Sequence, residues 1–189
     1  MKFILPLFII TINCYSQHTE RFNELVKTIK KDSVKQDSLF FKNGDIEFLA
    51  EKSFYTFNEE AVMTYSGETK TYYASGIVAR HDMQDDFGHW IWSKYYNRKG
   101  ILTKEWITTE IDTRAKNIEE FFKSRFHIDF KRTIKHYKYS KKTDGRYPCK
   151  IEYLTSTDNI DGGKIEFLNA NGDVKRTKIL KNKVVKNVW

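Results

Sequence analysis

The densest polar cluster in the chain is His81-Asp82-Met83-Gln84-Asp85-Asp86-Phe87-Gly88-His89. It offers the donor types that a borderline cation such as Zn²⁺ takes, with His81, Asp85 and His89 as the candidate ligands. On that chemistry the protein would be a small metal-dependent hydrolase. A solvated hairpin loop explains the same residues without a metal, because metal sites seldom draw every ligand from one short loop and the sequence marks no remote partner. Other reactive patterns are thin. Asp158-Asn159-Ile160-Asp161-Gly162-Gly163 has Ile160 third and Glu166 ninth, where an EF-hand needs an oxygen ligand at the third position and Glu at the twelfth. It reads as a turn. There is no Gly-x-Ser-x-Gly, no phosphate-cradling glycine loop, and no histidine near Cys149. These absences point to a non-enzymatic protein that needs no cofactor.

Charge is distributed unevenly. Residues 1–122 hold 16 Lys and Arg against 18 Asp and Glu, a net of −2, whereas residues 123–189 hold 17 against 7, a net of +10. Within the basic part, Lys131, Arg132, Lys135, Lys138, Lys141 and Lys142 interleave with Tyr137 and Tyr139. They are the candidate binding residues, for a protein partner or for an anionic surface of glycan or lipid head groups. Alternate strand residues face opposite sides, so a strand here would split the six between two faces.

The elements that must position these groups follow from periodicity. Phe22, Leu25, Val26 and Ile29 fall at i, i+3, i+4 and i+7, which predicts an N-terminal helix over Thr19–Lys31. Asp32–Asp37 is polar and reads as a connector. From Phe40 to Ile111, short aromatic and β-branched runs separated by turn residues predict a meander of hairpins: 46–49, 53–57, 61–65, 70–73, 76–79, 90–96 and 100–111. Asp112 or Thr113 is expected to cap a mid-chain helix over Arg114–Phe126, with Ile118, Phe121, Phe122 and Phe126 as its stripe. The runs 128–139, 149–154, 164–168 and 174–180 then predict a second antiparallel sheet, with turns at Asp144-Gly145, at Asp161-Gly162-Gly163 and at Asn171-Gly172. Val184–Trp189 would add an edge strand. The expected class is therefore α+β and β-rich: an antiparallel β-hairpin array with an N-terminal helix, a mid-chain helix and a C-terminal antiparallel sheet. The division is 17–112 and 113–189, or one continuous domain.

A degenerate repeat underlies the array. Gly67-x-Thr69-x-x-Tyr72-Tyr73-x-x-Gly76-x-Val78 has the form G-x-W-x-x-Y-Y-x-x-G-x-L with Thr for Trp, and residues 163–174 keep its spacing. Gly88-x-Trp90, then Tyr95-Tyr96-x-x-x-Gly100-x-Leu102, has the same members with an insertion. Over about residues 67–107 the chain resembles the MORN-type repeat, in the bacterial antitoxin-like variant. That resemblance implies consecutive β-hairpins with glycine turns and packed aromatics, and an immunity or antitoxin-like partner protein as an alternative role. It fixes no activity.

Residues 1–16 read as an export signal: Lys2, an apolar run over Phe3–Ile12, then Cys14 and Ser16 before a cut at Gln17. The run is too short for a membrane helix of about 20 residues. Thr11 and Asn13 disfavour the alternative, a lipoprotein anchored at Cys14. The expected location is the periplasm or the exterior, where nucleic acid is not an expected partner, and the mature chain is expected to carry no transmembrane segment. Taken together, the sequence predicts an exported, non-enzymatic binding or protein-interaction module.

Overall fold

A computed structural model describes residues 17–125, 127–141, 145–157 and 161–181. The expected export signal over 1–16 with Cys14, Phe126, Lys142 and the expected strand at 184–189 lie outside them. Ten strands run in chain order through one antiparallel sheet: β1 Ser33–Phe40, β2 Ile46–Phe57, β3 Glu60–Tyr72, β4 Val78–Gln84, β5 Trp90–Tyr96, β6 Leu102–Thr113, β7 Ile128–Ser140, β8 Gly145–Ser156, β9 Asp161–Leu168 and β10 Val174–Lys181. Each strand pairs with its sequence neighbour, and every connection but the one between β6 and β7 is at most five residues long. The array is thus β-rich and hairpin-built, as the sequence predicts.

Five of the turns share one hydrogen-bond pattern, over residues 41–45, 73–77, 85–89, 97–101 and 169–173. In each, the first residue's N–H donates to the carbonyl of the fifth at 2.8–3.0 Å, and the fourth residue, always Gly, donates back to the first at 2.8–3.2 Å. Gly44, Gly76, Gly88, Gly100 and Gly172 all have positive φ. The glycines that punctuate the repeat are there because the turn closes through the left-handed region. In two turns a leading Asn adds a brace: Asn97 Oδ1 accepts from Lys99 N (2.9 Å) and Ile101 N (3.1 Å), and Asn169 Oδ1 from Asn171 N and Asp173 N. Asn97→Ala should therefore cost about 1–2 kcal/mol in chemical denaturation, and the neighbouring Arg98→Ala under about 0.5 kcal/mol.

The one long connection, between β6 and β7, carries helix α2 (Ile118–Ser124); helix α1 (Glu20–Val26) precedes the sheet. Both helices are shorter than expected. Thr19 caps α1, its hydroxyl accepting from Phe22 N, and Asn117 rather than Asp112 or Thr113 caps α2, accepting from Glu120 N at 2.9 Å. β6 extends to Thr113 instead, because Asp112 and Thr113 pair with Asp129 and Ile128. That pairing also corrects the expectation of a separate C-terminal sheet: β7 joins β6 directly, and one sheet crosses the 112/113 boundary. Two further segments differ. The polar stretch read as a connector is the start of β1, a strand held by backbone pairing to β2 and solvated on both sides. Gly162 and Gly163 lie inside β9, paired with Thr155 and Leu154, rather than in a turn.

The core sits where the helices meet the sheet. Phe22, Ile111 and Phe121 are fully buried with Ala115, and Phe87 joins them at 6.0 Å from Phe22 and 5.1 Å from Phe121, edge-on in both cases. Ile111 shares a side of the sheet with Phe130, and through β7 with Thr108–Arg132 and Trp106–Ile134. The helices cover this side. Ile107, Thr133 and Lys135 point to the other, where Ile107 remains 44% exposed.

Candidate functional site

Asp85 leads the β4–β5 turn and braces it as Asn97 and Asn169 brace theirs: Oδ1 accepts from Phe87 N (2.9 Å) and His89 N (2.7 Å). The difference is the second side-chain atom. In Asn it is a donor; in Asp85 it is an acceptor, and two imidazoles converge on it. His89 Nδ1 and His18 Nε2 each lie 2.7 Å from Oδ2. His89 Nε2 lies 2.6 Å from the Arg125 carbonyl, which can only accept, so this nitrogen carries a proton. The cluster ties together the start of the described chain, the turn and the end of α2.

His18 reaches the cluster because residues 17–19 run beside β6: Ile111 N donates to Gln17 O (2.7 Å) and Thr19 N to Ile111 O (2.9 Å). Its ring stacks on Phe22 at 4.3 Å. His89 and Asp85 are buried, at 2% and 7% exposure. Burial opposes the Asp85 charge, but the His89 imidazolium and the His18 hydrogen bond outweigh it and hold the carboxyl far below the usual carboxylate range. Burial likewise opposes charge on His89, and the attraction of Asp85 overrides it and raises the imidazole.

The trio predicted from sequence thus changes one member. His81 lies on β4, four residues from Asp85, and extended chain of that length spans about 13 Å. It packs edge-on against Trp92 at 4.8 Å, with Nε2 3.3 Å from Glu68 Oε2. His18, 67 residues away, takes the place given to it.

Among the basic candidates, Lys131 and Lys135 share the helix-free side. Lys131 bonds Glu110 (2.8 Å) and Lys135 lies 3.7 Å from Glu105. Arg132 points to the helix side, its guanidinium over Trp106 (4.1 Å) and Phe130 (4.6 Å) and its Nε bonded to Thr108 Oγ1. Burial pushes its pKa down to about 10. Lys138 and Lys141 are exposed, beyond a bulge at His136/Tyr137, and Lys142 lies outside the described residues. The five described ones form no single patch.

A different grouping does form one. Across β5, β6 and β7 the register sets Trp92 opposite Ile107 and Ile107 opposite Thr133, with Lys94, Glu105 and Lys135 aligned in the next row but one. These two rows line a concavity of about 300 Å³ on the helix-free side. Glu105 is engaged by Tyr137 Oη (2.5 Å) and Lys135. Lys94 lies 5.4 Å over the Trp92 ring and has no carboxylate in ion-pair range among the described residues. Trp92 and Lys94 stand two apart in a predicted strand; that shared face was the legible signal, but the partners from β6 and β7 were not.

No protein-family model matches this chain, and no curated protein matches it. Among solved structures, a porin-like protein from Bacteroides uniformis ATCC 8492 is similar over 76% of this chain and 59% of its own, at 11% identity and a TM-score of 0.21. That likeness is too slight to bear on fold or function. Among the described residues no helix is long and apolar enough to cross a membrane.

Proposed function

We propose that the chain is an exported, non-enzymatic binding module that receives an acidic glycan on the helix-free side of its sheet. The carrying observation is the two-row concavity: a row of Trp92, Ile107 and Thr133 beside a charged row in which Lys94 has no partner carboxylate among the described residues. A sugar ring has apolar C–H faces and polar edges, and its carboxylate or sulfate would meet Lys94 and Lys135. Those two lysines stand two inter-strand spacings apart, about 10 Å. The chemistry an enzyme would need is otherwise engaged, since Asp85 and His89 are enclosed in the core and bonded to main chain. The five matching glycine turns support the MORN-type resemblance, in which such arrays serve as scaffolds.

A heparin-derived oligosaccharide is the probe. Lys94→Glu with Lys135→Glu should weaken its binding at least about tenfold. Lys138→Glu with Lys141→Glu, the same charge change elsewhere, should weaken it under about threefold. Wild-type binding should fall steeply as salt rises from about 0.1 to 0.5 M. Equal losses in both double variants would reduce the interaction to net charge and refute the site.

A further inference from the structure

We propose that His18, Asp85 and His89 form a binding site for a zinc-class divalent cation, one that fastens residues 17–19 to the β4–β5 turn. Three donor atoms converge, His18 Nε2, His89 Nδ1 and Asp85 Oδ2, all within 4.8 Å of one another. Each ligand is already held from behind. Asp85 Oδ1 takes two backbone N–H groups, His89 Nε2 donates to the Arg125 carbonyl, and the His18 ring lies on Phe22. Such outer contacts orient metal ligands and fix their tautomers.

The Arg125 carbonyl is the decisive contact. By claiming the Nε2 proton it leaves Nδ1 of a neutral His89 with its lone pair directed at the carboxylate oxygen 2.7 Å away. A lone pair and an anionic oxygen repel at that distance unless a cation stands between them. A proton serves in the metal-free molecule; a divalent cation serves there too, and takes His18 with it. With bonds of 2.0–2.1 Å in a tetrahedral set, neighbouring donors stand about 3.3 Å apart. Both 2.7 Å separations from Asp85 Oδ2 must therefore widen by about 0.6 Å. His18, the most accessible of the three at 18% side-chain exposure, would move with a segment held by two backbone bonds, and the His89 ring would swing away from the carboxylate. Water would complete the set from that side. Two imidazoles and one carboxylate select zinc-class ions over Ca²⁺ and Mg²⁺. The role assigned is structural: Asp85 and His89 are buried, and Phe22 and Phe121 pack edge-on against the His89 ring.

Chelator-stripped protein titrated with ZnCl₂ should bind one equivalent by calorimetry, and its melting temperature should rise by about 5 °C or more at saturation. His18→Ala should lower zinc affinity at least about tenfold. His81→Ala, which removes the imidazole beside Glu68, should leave it unchanged, and CaCl₂ and MgCl₂ should produce no shift. Should His18→Ala not fold, nitrogen-detected NMR of the wild type decides: zinc must move His18 Nε2 and His89 Nδ1 while His81 stays in place. No zinc binding, undiminished binding in folded His18→Ala, or a response centred on His81 would overturn the assignment.

Discussion

Asp85→Ala will destabilise the metal-free protein by about 3–5 kcal/mol, the range seen when one partner of a buried ion pair is removed. The change removes the brace of the β4–β5 turn, stranding the N–H groups of Phe87 and His89, and leaves a buried imidazolium without its counter-charge. Asp85→Asn should be much milder, about 1–2 kcal/mol. Its oxygen can still brace the turn, as Asn97 and Asn169 do, and its amide can donate to neutral His18 and His89 rings. Asp86→Ala, next door but with a side chain 59% exposed and paired with Lys31, should change stability by under about 1 kcal/mol. Urea denaturation of the three variants checks the order. An Asp85→Ala loss no greater than that of Asp86→Ala would mean the cluster does not hold the core.

Gly163→Ala should cost about 3 kcal/mol or more. A Cβ at this position would stand 2.0 Å from the Tyr153 carbonyl oxygen and 3.2 Å from Leu154 Cα. These are backbone atoms of the paired strand, so no rotamer change relieves the contact and β9 must separate from β8. Gly172→Ala supplies the contrast. Its φ is +91°, but nothing lies within 4 Å of an added Cβ, so only the left-handed backbone cost of about 1–2 kcal/mol applies. Hydrogen exchange should show early opening of β9 and β10 in the first variant alone. Equal losses at both glycines would show that close strand approach is not what Gly163 serves.

The contrast between the two glycines shows what the sequence could reveal. Gly172 follows Asn171 between two apolar runs, so its turn was legible from local chemistry. Gly163 looked like a turn glycine too; its reason is a neighbouring strand, which no local pattern records. The same division runs through the fold. Hairpins at 73–77, 97–101 and 169–173 came from Gly positions and β-like runs. β1 was hidden because an edge strand solvated on both sides needs no hydrophobic alternation. The continuous sheet was hidden by α2, whose pattern suggested a break where β6 and β7 in fact pair around it. At the site, Asp85 and His89 belong to one turn and could be grouped on sight. His18 could not, since it arrives through a parallel bridge to Ile111 from 67 residues away. Lys135 was visible as a basic residue, but its company with Trp92 and Lys94 depends on register across three strands.

In the proposed function, ligand meets the helix-free side of the sheet at Trp92. Two indoles of neighbouring position report on opposite sides: Trp92 in the concavity, and Trp90, which lies under the Arg80 guanidinium at 3.9 Å. Indole N–H resonances followed by NMR during titration with the heparin-derived oligosaccharide test this directly. Trp92 should shift saturably while Trp90 stays in place, and the Trp92 shift should be lost in Lys94→Glu/Lys135→Glu. A shift of Trp90 with Trp92 unmoved, or saturation without any response at Trp92, would contradict that placement of the ligand.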